Sequence, residues 1–360
     1  MEKIYSYMGF ASFSGIGPMR CAKLVEHYGD VYRAYRAPLQ ELKTLLPNDI
    51  CDRFSVHRKN FDAKKEYERL TQLRIKVITV EDPLYPVPLR NISDPPICLF
   101  VRGKYDVFDF EHERCIGVVG TRKPSQYGIQ VTQIFSEELA QNGMVIVSGL
   151  AYGIDAQAHI SALNVKGKTI AFLGCGVDIK YPSGNASLYD RIVAEGGLVI
   201  SEFYPGQTVV RGLFVSRNRL ISGISQGVIV IEGTAKSGTL ITAREACEQG
   251  KDVFVPPVPI TSSLSEGPNL LLKQGAQLVT SPQDILDEYG LTRCNSLSDN
   301  NIVLSEKERV VYNLLRIQGM SVDELVFQSK SSFVELVPIL TSLELQSVIK
   351  KKENGLYTIL

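Results

Sequence analysis

Phe214-Val-Ser-Arg217-Asn218-Arg219-Leu-Ile-Ser-Gly-Ile-Ser225 is followed closely by Val228-Ile-Val-Ile-Glu232-Gly-Thr-Ala-Lys236-Ser237-Gly238-Thr239. The first segment reads as an amphipathic helix carrying two arginines, the second as an all-apolar strand. That strand ends in a loop of Gly, Ser, Thr and Lys that opens another helix. Small residues let backbone N–H groups approach an anion closely, and the free N–H groups of a first helical turn favour phosphate oxygens. The pattern is therefore one repeat of an α/β chain, with phosphate-holding chemistry at the strand's carboxyl end.

The same repeat recurs from Cys115 onward. Strands are expected near 115–119, 144–148, 169–173, 198–201, 228–232, 252–255 and 278–280. Helices are expected at about 126–142, 153–164, 186–195, 214–224, 238–249, 267–274 and 282–289. Continuous apolar strands separated by helices mean a parallel sheet covered on both faces, the α/β class. Ligands of such sheets bind at the carboxyl ends of the strands, where strand order reverses. The loops there are rich in Gly and polar residues: Gly120-Thr121-Arg122-Lys123 after the first strand, and Ser148-Gly149-Leu-Ala-Tyr152-Gly153-Ile-Asp155 after the second. Gly174-Cys-Gly176-Val-Asp178-Ile-Lys180-Tyr181-Pro182-Ser183 follows the third, and Ser201-Glu202-Phe203-Tyr204-Pro205-Gly206, then Arg211, the fourth. Several such loops on one sheet edge favour a broad polyanion platform over a set of turns.

Residues 1–70 read as a helical domain and 71–290 as the α/β domain. Within the first, Gly15-Ile-Gly17-Pro18 is a tight turn into a helix, which either holds a DNA phosphate or packs two helices. Lys76–Val80 and Ile97–Val101 look like strands, and the Pro-rich stretch between them is expected to be extended and not helical. Residues 291–302 are polar and turn-forming, a linker. In 303–360, capping boxes at Ser305 and Ser321 start helices over 306–317 and 321–329. A helix over 332–347 and a small hairpin with a basic turn complete a winged helix. Its third helix contains Pro338 and is otherwise apolar and acidic, which suits a protein contact better than a DNA groove.

Formal net charge is zero, so any basic footprint must be local. The seven cysteines are scattered without C-x-x-C spacing, as reduced and mostly buried thiols would be, and the four dispersed histidines suggest no metal site. No apolar stretch approaches the roughly 20 residues of a membrane span. With no leader-like N-terminus, the chain is expected to be cytoplasmic, without membrane partner or cofactor.

Taken together, Val119-Gly-Thr-Arg122, Ser148-Gly-Leu-Ala-Tyr-Gly-Ile-Asp155, Leu173-Gly-Cys-Gly-Val-Asp178, Ser201-Glu202, Arg217-Asn-Arg219-Leu-Ile-Ser-Gly and Ser237-Gly-Thr-Leu-Ile-Thr-Ala243 resemble the DprA/Smf family, DNA-processing protein A of bacterial natural transformation. The resemblance implies an extended Rossmann-like parallel sheet, flanked by a SAM/helix-hairpin-helix-like N-terminal domain and a winged-helix C-terminal domain. It implies a non-enzymatic protein that binds single-stranded DNA, dimerises through the Rossmann-like domain, protects incoming strands and loads the RecA recombinase. The DNA-binding residues it points to are Gly120, Thr121, Arg122, Lys180, Arg211, Arg217, Asn218, Arg219, Lys236, Ser237, Gly238 and Thr239. Two departures from the family pattern stand out: Ser183 replaces a basic residue after Tyr-Pro, with Lys180 as substitute, and Pro256-Pro257 alters the loop after Val253-Phe254.

Arg217 and Arg219, two apart on a helix, face different ways. One is expected to meet the ligand while the other pairs with an acid such as Glu202 or Glu232. Asp155 and His159 share a helix face and suit a helix cap and a packed imidazole better than acid–base work. Tyr127, Phe203 and Tyr204 could stack on bases or pack on the sheet. A nucleotide-cleaving hydrolase with Glu232 as base, gripping a phosphate with the Glu232-Gly-Thr loop, is the rival reading.

Overall fold

Seven short apolar runs organise the chain around one sheet. In the computed structural model, which describes residues 1–235, 237–291, 305–329, 331–346, 348–352 and 355–359, they are β3 to β9 of a nine-stranded sheet. The strands are β1 (Lys76–Thr79), β2 (Cys98–Gly103), β3 (Cys115–Val119), β4 (Val145–Ser148), β5 (Thr169–Phe172), β6 (Leu198–Ser201), β7 (Gly227–Val230), β8 (Asp252–Val255) and β9 (Gln277–Leu278). Their order is β1-β2-β6-β5-β4-β3-β7-β8-β9. All pairs from β6 to β9 are parallel. The first two strands join the same sheet antiparallel, β1 on β2 and β2 on β6.

The sheet is covered on both faces, as its uninterrupted apolar strands require. Alternation divides the side chains: Ile116, Val118, Ile146, Ile229 and Phe254 pack under helices Gln126–Gln141, Ile154–Asn164 and Pro282–Glu288. Cys115, Val119, Val147, Phe172 and Val230 face helices Arg211–Ile224 and Gly238–Glu248. A third cluster joins the N-terminal helices, from Glu2–Ala11 to Ala63–Gln72, to Phe100, Val199 and Tyr189.

Three expectations shift. The Pro-rich connection contains a single helical turn, Val87–Arg90, because proline is tolerated in a first turn, where its missing N–H has no partner to lose. The helix expected from 214 begins at Arg211, so Arg211 sits in its first turn and not in a loop. The last strand covers only Gln277–Leu278.

By internal contacts the chain divides into Met1–Cys294 and Asn295–Leu360. The second unit holds helices Glu306–Ile317, Val322–Ser329 and Phe333–Leu345, with Pro338 inside the last, and a hairpin of β10 (Ile349–Lys351) and β11 (Tyr357–Ile359). The expected linker falls almost entirely outside the described residues. Among those residues no helix is long and apolar enough to cross a membrane.

The chain leaves β3 to build β4, β5 and β6 on one side, then crosses back to add β7 on the other. Strand order therefore reverses between β3 and β7, and the loops leaving these strands are tied together. Thr121 N donates to Glu232 O at 2.8 Å, and the buried Glu232 carboxylate accepts from Ser125 N at 2.9 Å and Ser125 Oγ at 2.6 Å.

Candidate nucleic-acid interface

Beside this clasp, the carboxyl ends of β3, β4 and β5 open a small cavity of about 60 Å³. Two arginines, Arg122 and Arg217, line it. Arg122, on the loop after β3, is exposed and makes no hydrogen bond or ion pair among the described residues. Arg217 comes from helix Arg211–Ile224 and is only 4% exposed. Its Nη1 donates to Gly149 O at 2.6 Å and Phe172 O at 2.5 Å, while Nε donates to Asn218 Oδ1 at 3.2 Å. None of these bonds uses Nη2.

The electrostatics of Arg217 follow from that placement. Burial lowers its pKa, the Asp155 carboxylate works against this, and the Arg122 charge pushes the same way as burial. Asp155 is itself buried, which raises its pKa against the pull of Arg217. Its Oδ2 accepts from Gly149 N at 3.1 Å and Ala151 N at 3.4 Å. Asp155 therefore braces the loop before its helix; that helix's N-cap is Gly153, and the expected cap role falls to the loop instead. A Cβ on Gly149 would lie 2.0 Å from Arg217 Nη1, so only glycine leaves room for the guanidinium. Two cations converge here while the nearby carboxylate is spent on backbone amides. An anion entering the cavity relieves their mutual repulsion.

The aromatic walls were not singled out from sequence. Tyr152 and Tyr181 line the cavity and are 46% and 38% exposed, and Phe214 packs against Tyr181 with ring centroids 5.5 Å apart. The signal lay in Tyr-Gly before one helix and Tyr-Pro after one strand, both within the quoted loops. Tyr127 instead bonds Pro257 O. Tyr204 packs against Phe61 and Phe100 and donates to Glu66 Oε2 at 3.0 Å.

The remaining predicted residues divide. Gly120 and Thr121 belong to the loop that carries Arg122, and Thr121 Oγ1 accepts from Lys123 N at 3.2 Å. Asn218 positions Arg217. Arg219 lies away from the cavity, buried, with Nε on Asp94 Oδ2 at 2.6 Å and its Nη atoms on Glu202 at 2.6 and 2.7 Å. Burial opposes its charge, but those two carboxylates outweigh burial and hold its pKa up. Lys180 is exposed and paired with Asp190 at 2.6 Å, and Arg211 is exposed without a partner among the described residues. Ser237, Gly238 and Thr239 open the helix after β7, on the other side of β3, where Ser237 Oγ caps Thr239 N at 3.2 Å. Lys236 lies outside the described residues. His159 is buried, with Nδ1 2.7 Å from Thr169 Oγ1, and burial followed by the Arg217 charge pushes its pKa down to about 3.

Residues 76–290 match the family model described as DNA recombination-mediator protein A. The chain belongs to that family. The match contains both arginines and both exposed tyrosines of the cavity, whereas the N-terminal helices and the second unit lie outside it. Protein Smf of Escherichia coli, a relative of this recombination-mediator chain, is 38% identical over 294 residues, covering 79% of this chain and 78% of its own. DNA processing protein A from Streptococcus pneumoniae superposes with a TM-score of 0.69 at 35% identity, covering 79% of this chain and 97% of that one. The Helicobacter pylori protein of the same name gives a TM-score of 0.53 at 33% identity over 59% of this chain and 95% of that one. That structure is described as giving insight into its single-stranded DNA binding mode.

Proposed function

We propose that this recombination mediator binds single-stranded DNA along the carboxyl edge of its sheet, with Arg122 and Arg217 on a phosphate and Tyr152 and Tyr181 beside the bases. The observation that carries this reading is the presence of Arg122, without a partner among the described residues, and the buried Arg217 in one cavity walled by exposed tyrosines. Cations that track the backbone and rings that stack on any base are what binding without sequence preference requires. Lys180, Arg211 and the Ser237-Gly238-Thr239 turn extend the footprint from neighbouring loops, while Arg219 holds the helix that presents Arg217. The Helicobacter pylori relative's single-stranded DNA binding supports the reading. In this role the protein acts in the cytoplasm as a homodimer through its Rossmann-like domain, shields incoming strands and hands them to the RecA recombinase. The C-terminal unit serves as a winged helix for protein contact.

The rival hydrolase loses its base. Glu232 is 1% exposed and both its oxygens accept from Ser125, which ties it to the loop after β3 and argues against its use as a base on a water. The test is RecA filament formation on single strands already coated with single-strand-binding protein. The wild type is expected to raise the rate several-fold and to protect the strand from nuclease. Release of base or phosphate from free nucleotides, without strand binding, would instead favour the hydrolase.

A further inference from the structure

A second cavity lies outside the family match, in the N-terminal helices. It encloses about 630 Å³, within the roughly 300–1,000 Å³ of small-molecule sites. Half-buried rings of Tyr5, Tyr32 and Phe61 line it, together with Arg36, Arg58 and Lys59. Helix Val31–Arg36 supplies Tyr32 and Arg36, and the last turn of helix Asn48–Asn60 supplies Arg58 and Lys59.

The cations are positioned but not neutralised. Arg58 Nη1 donates to Tyr35 O at 2.9 Å and Ala37 O at 2.7 Å, which fixes its guanidinium without an acid. Arg36 sits over the Tyr32 ring at 4.6 Å. Neither Arg36 nor Lys59 makes a hydrogen bond or ion pair among the described residues, and the hydroxyls of Tyr5 and Tyr32 are likewise without partners there. The one acid lining the cavity is Glu2. A hydrophobic function would not leave three cations along such a space, and a simple anion site would not need four aromatic rings, Tyr5, Tyr32, Tyr35 and Phe61.

We propose that this cavity takes one nucleotide unit, its base among Tyr5, Tyr32 and Phe61 and its phosphate on Arg36, Arg58 and Lys59. Base–aromatic stacking supplies affinity with little base preference, and the arginines add cation–π as well as phosphate contacts. The same chemistry arrives either as a free mononucleotide or as one residue of a strand. Phe61 meets Tyr204 at 6.0 Å between ring centroids, and Tyr204 lies on the loop leaving β6. The cavity wall is thus joined to the sheet edge that carries Arg122, which favours a strand as the source.

The experiment uses the full chain with thymidine monophosphate, thymidine and inorganic phosphate, followed by saturation-transfer NMR. A single-stranded oligonucleotide bearing 5-iodouracil, cross-linked and mapped by mass spectrometry, is the second arm. The monophosphate is expected to bind, with thymidine and phosphate each at least ten-fold weaker, and Arg36→Ala and Tyr32→Ala are each expected to weaken it by about ten-fold. Arg36→Ala and Tyr32→Ala are therefore also read in an Arg122→Ala background, where monophosphate binding that persists and still falls about ten-fold belongs to this cavity, which separates failure here from failure at the sheet edge. Cross-links at Tyr5, Tyr32 or Phe61 identify the strand as the source; monophosphate binding without them identifies the free nucleotide. No saturation transfer from any of the three probes, or transfer equal in wild type, Arg36→Ala and Tyr32→Ala, overturns the proposal. So does preferential capture of an acidic peptide over the monophosphate, which would make the cavity a protein-docking site.

Discussion

Two arginines two positions apart on one helix do opposite jobs. Arg217 lines the cavity at the sheet edge, held there through Nη1 and Nε, whereas Arg219 is consumed by Asp94 and Glu202. Arg219→Ala leaves Glu202, its side chain only 10% exposed, without its partner and is expected to cost about 3 kcal/mol of stability, read as a fall in urea midpoint. Arg219→Lys restores only part, since an ammonium cannot bridge two carboxylates as a planar fork does. That the pair would divide was legible from helical spacing alone. The choice of Glu202 over Glu232 was not, because it depends on which strand ends the sheet brings beneath the helix. A second side chain gives pH dependence. His159 has a folded pKa of about 3 against an ordinary value of 6.5, so its imidazole must stay neutral to remain buried. Stability from this group is intact above pH 6.5 and is lost as pH falls toward 3, by about 2 kcal/mol at pH 5. Urea denaturation at pH 7 and pH 5 is expected to show that loss in wild type and a smaller one in His159→Gln.

Among the elements, the loop after β3 depends on one serine. Ser125 caps helix Gln126–Gln141 by accepting from Gly128 N at 3.1 Å, and its own N–H and O–H hold Glu232. Ser125→Ala removes the cap and orphans a buried carboxylate oxygen, at an expected cost of about 2 kcal/mol. Because Arg122 rides on that loop, strand affinity is expected to fall with it, as anisotropy would show; unchanged stability and affinity would mean the clasp is not structural. The parallel strands were legible because each is a continuous apolar run bounded by glycine and polar loops. The antiparallel docking of β1 and β2 was not, since pairing direction is set by a partner far along the chain. Nor was the helical turn at Val87–Arg90, where the first-turn exception for proline outweighs its general refusal of helix.

For the molecule as a whole, binding is expected to reside in the first unit. A chain ending at residue 291 contains the entire cavity and is expected to bind a single strand within two-fold of the full protein and to unfold at the same temperature. A larger loss would place essential contacts in the second unit. Net charge is zero, so affinity for a polyanion cannot come from a diffuse field and must come from named side chains. Fluorescence anisotropy of a labelled oligonucleotide across a salt series, with wild type and Arg122→Ala, tests this. The logarithm of the binding constant is expected to fall linearly with that of salt, and the mutant slope to be shallower by about 0.7, the share of one single-strand phosphate. Its affinity is expected to be weaker by about ten-fold, a loss near 1.4 kcal/mol. Identical slopes and affinities for the two proteins would contradict a phosphate contact at Arg122.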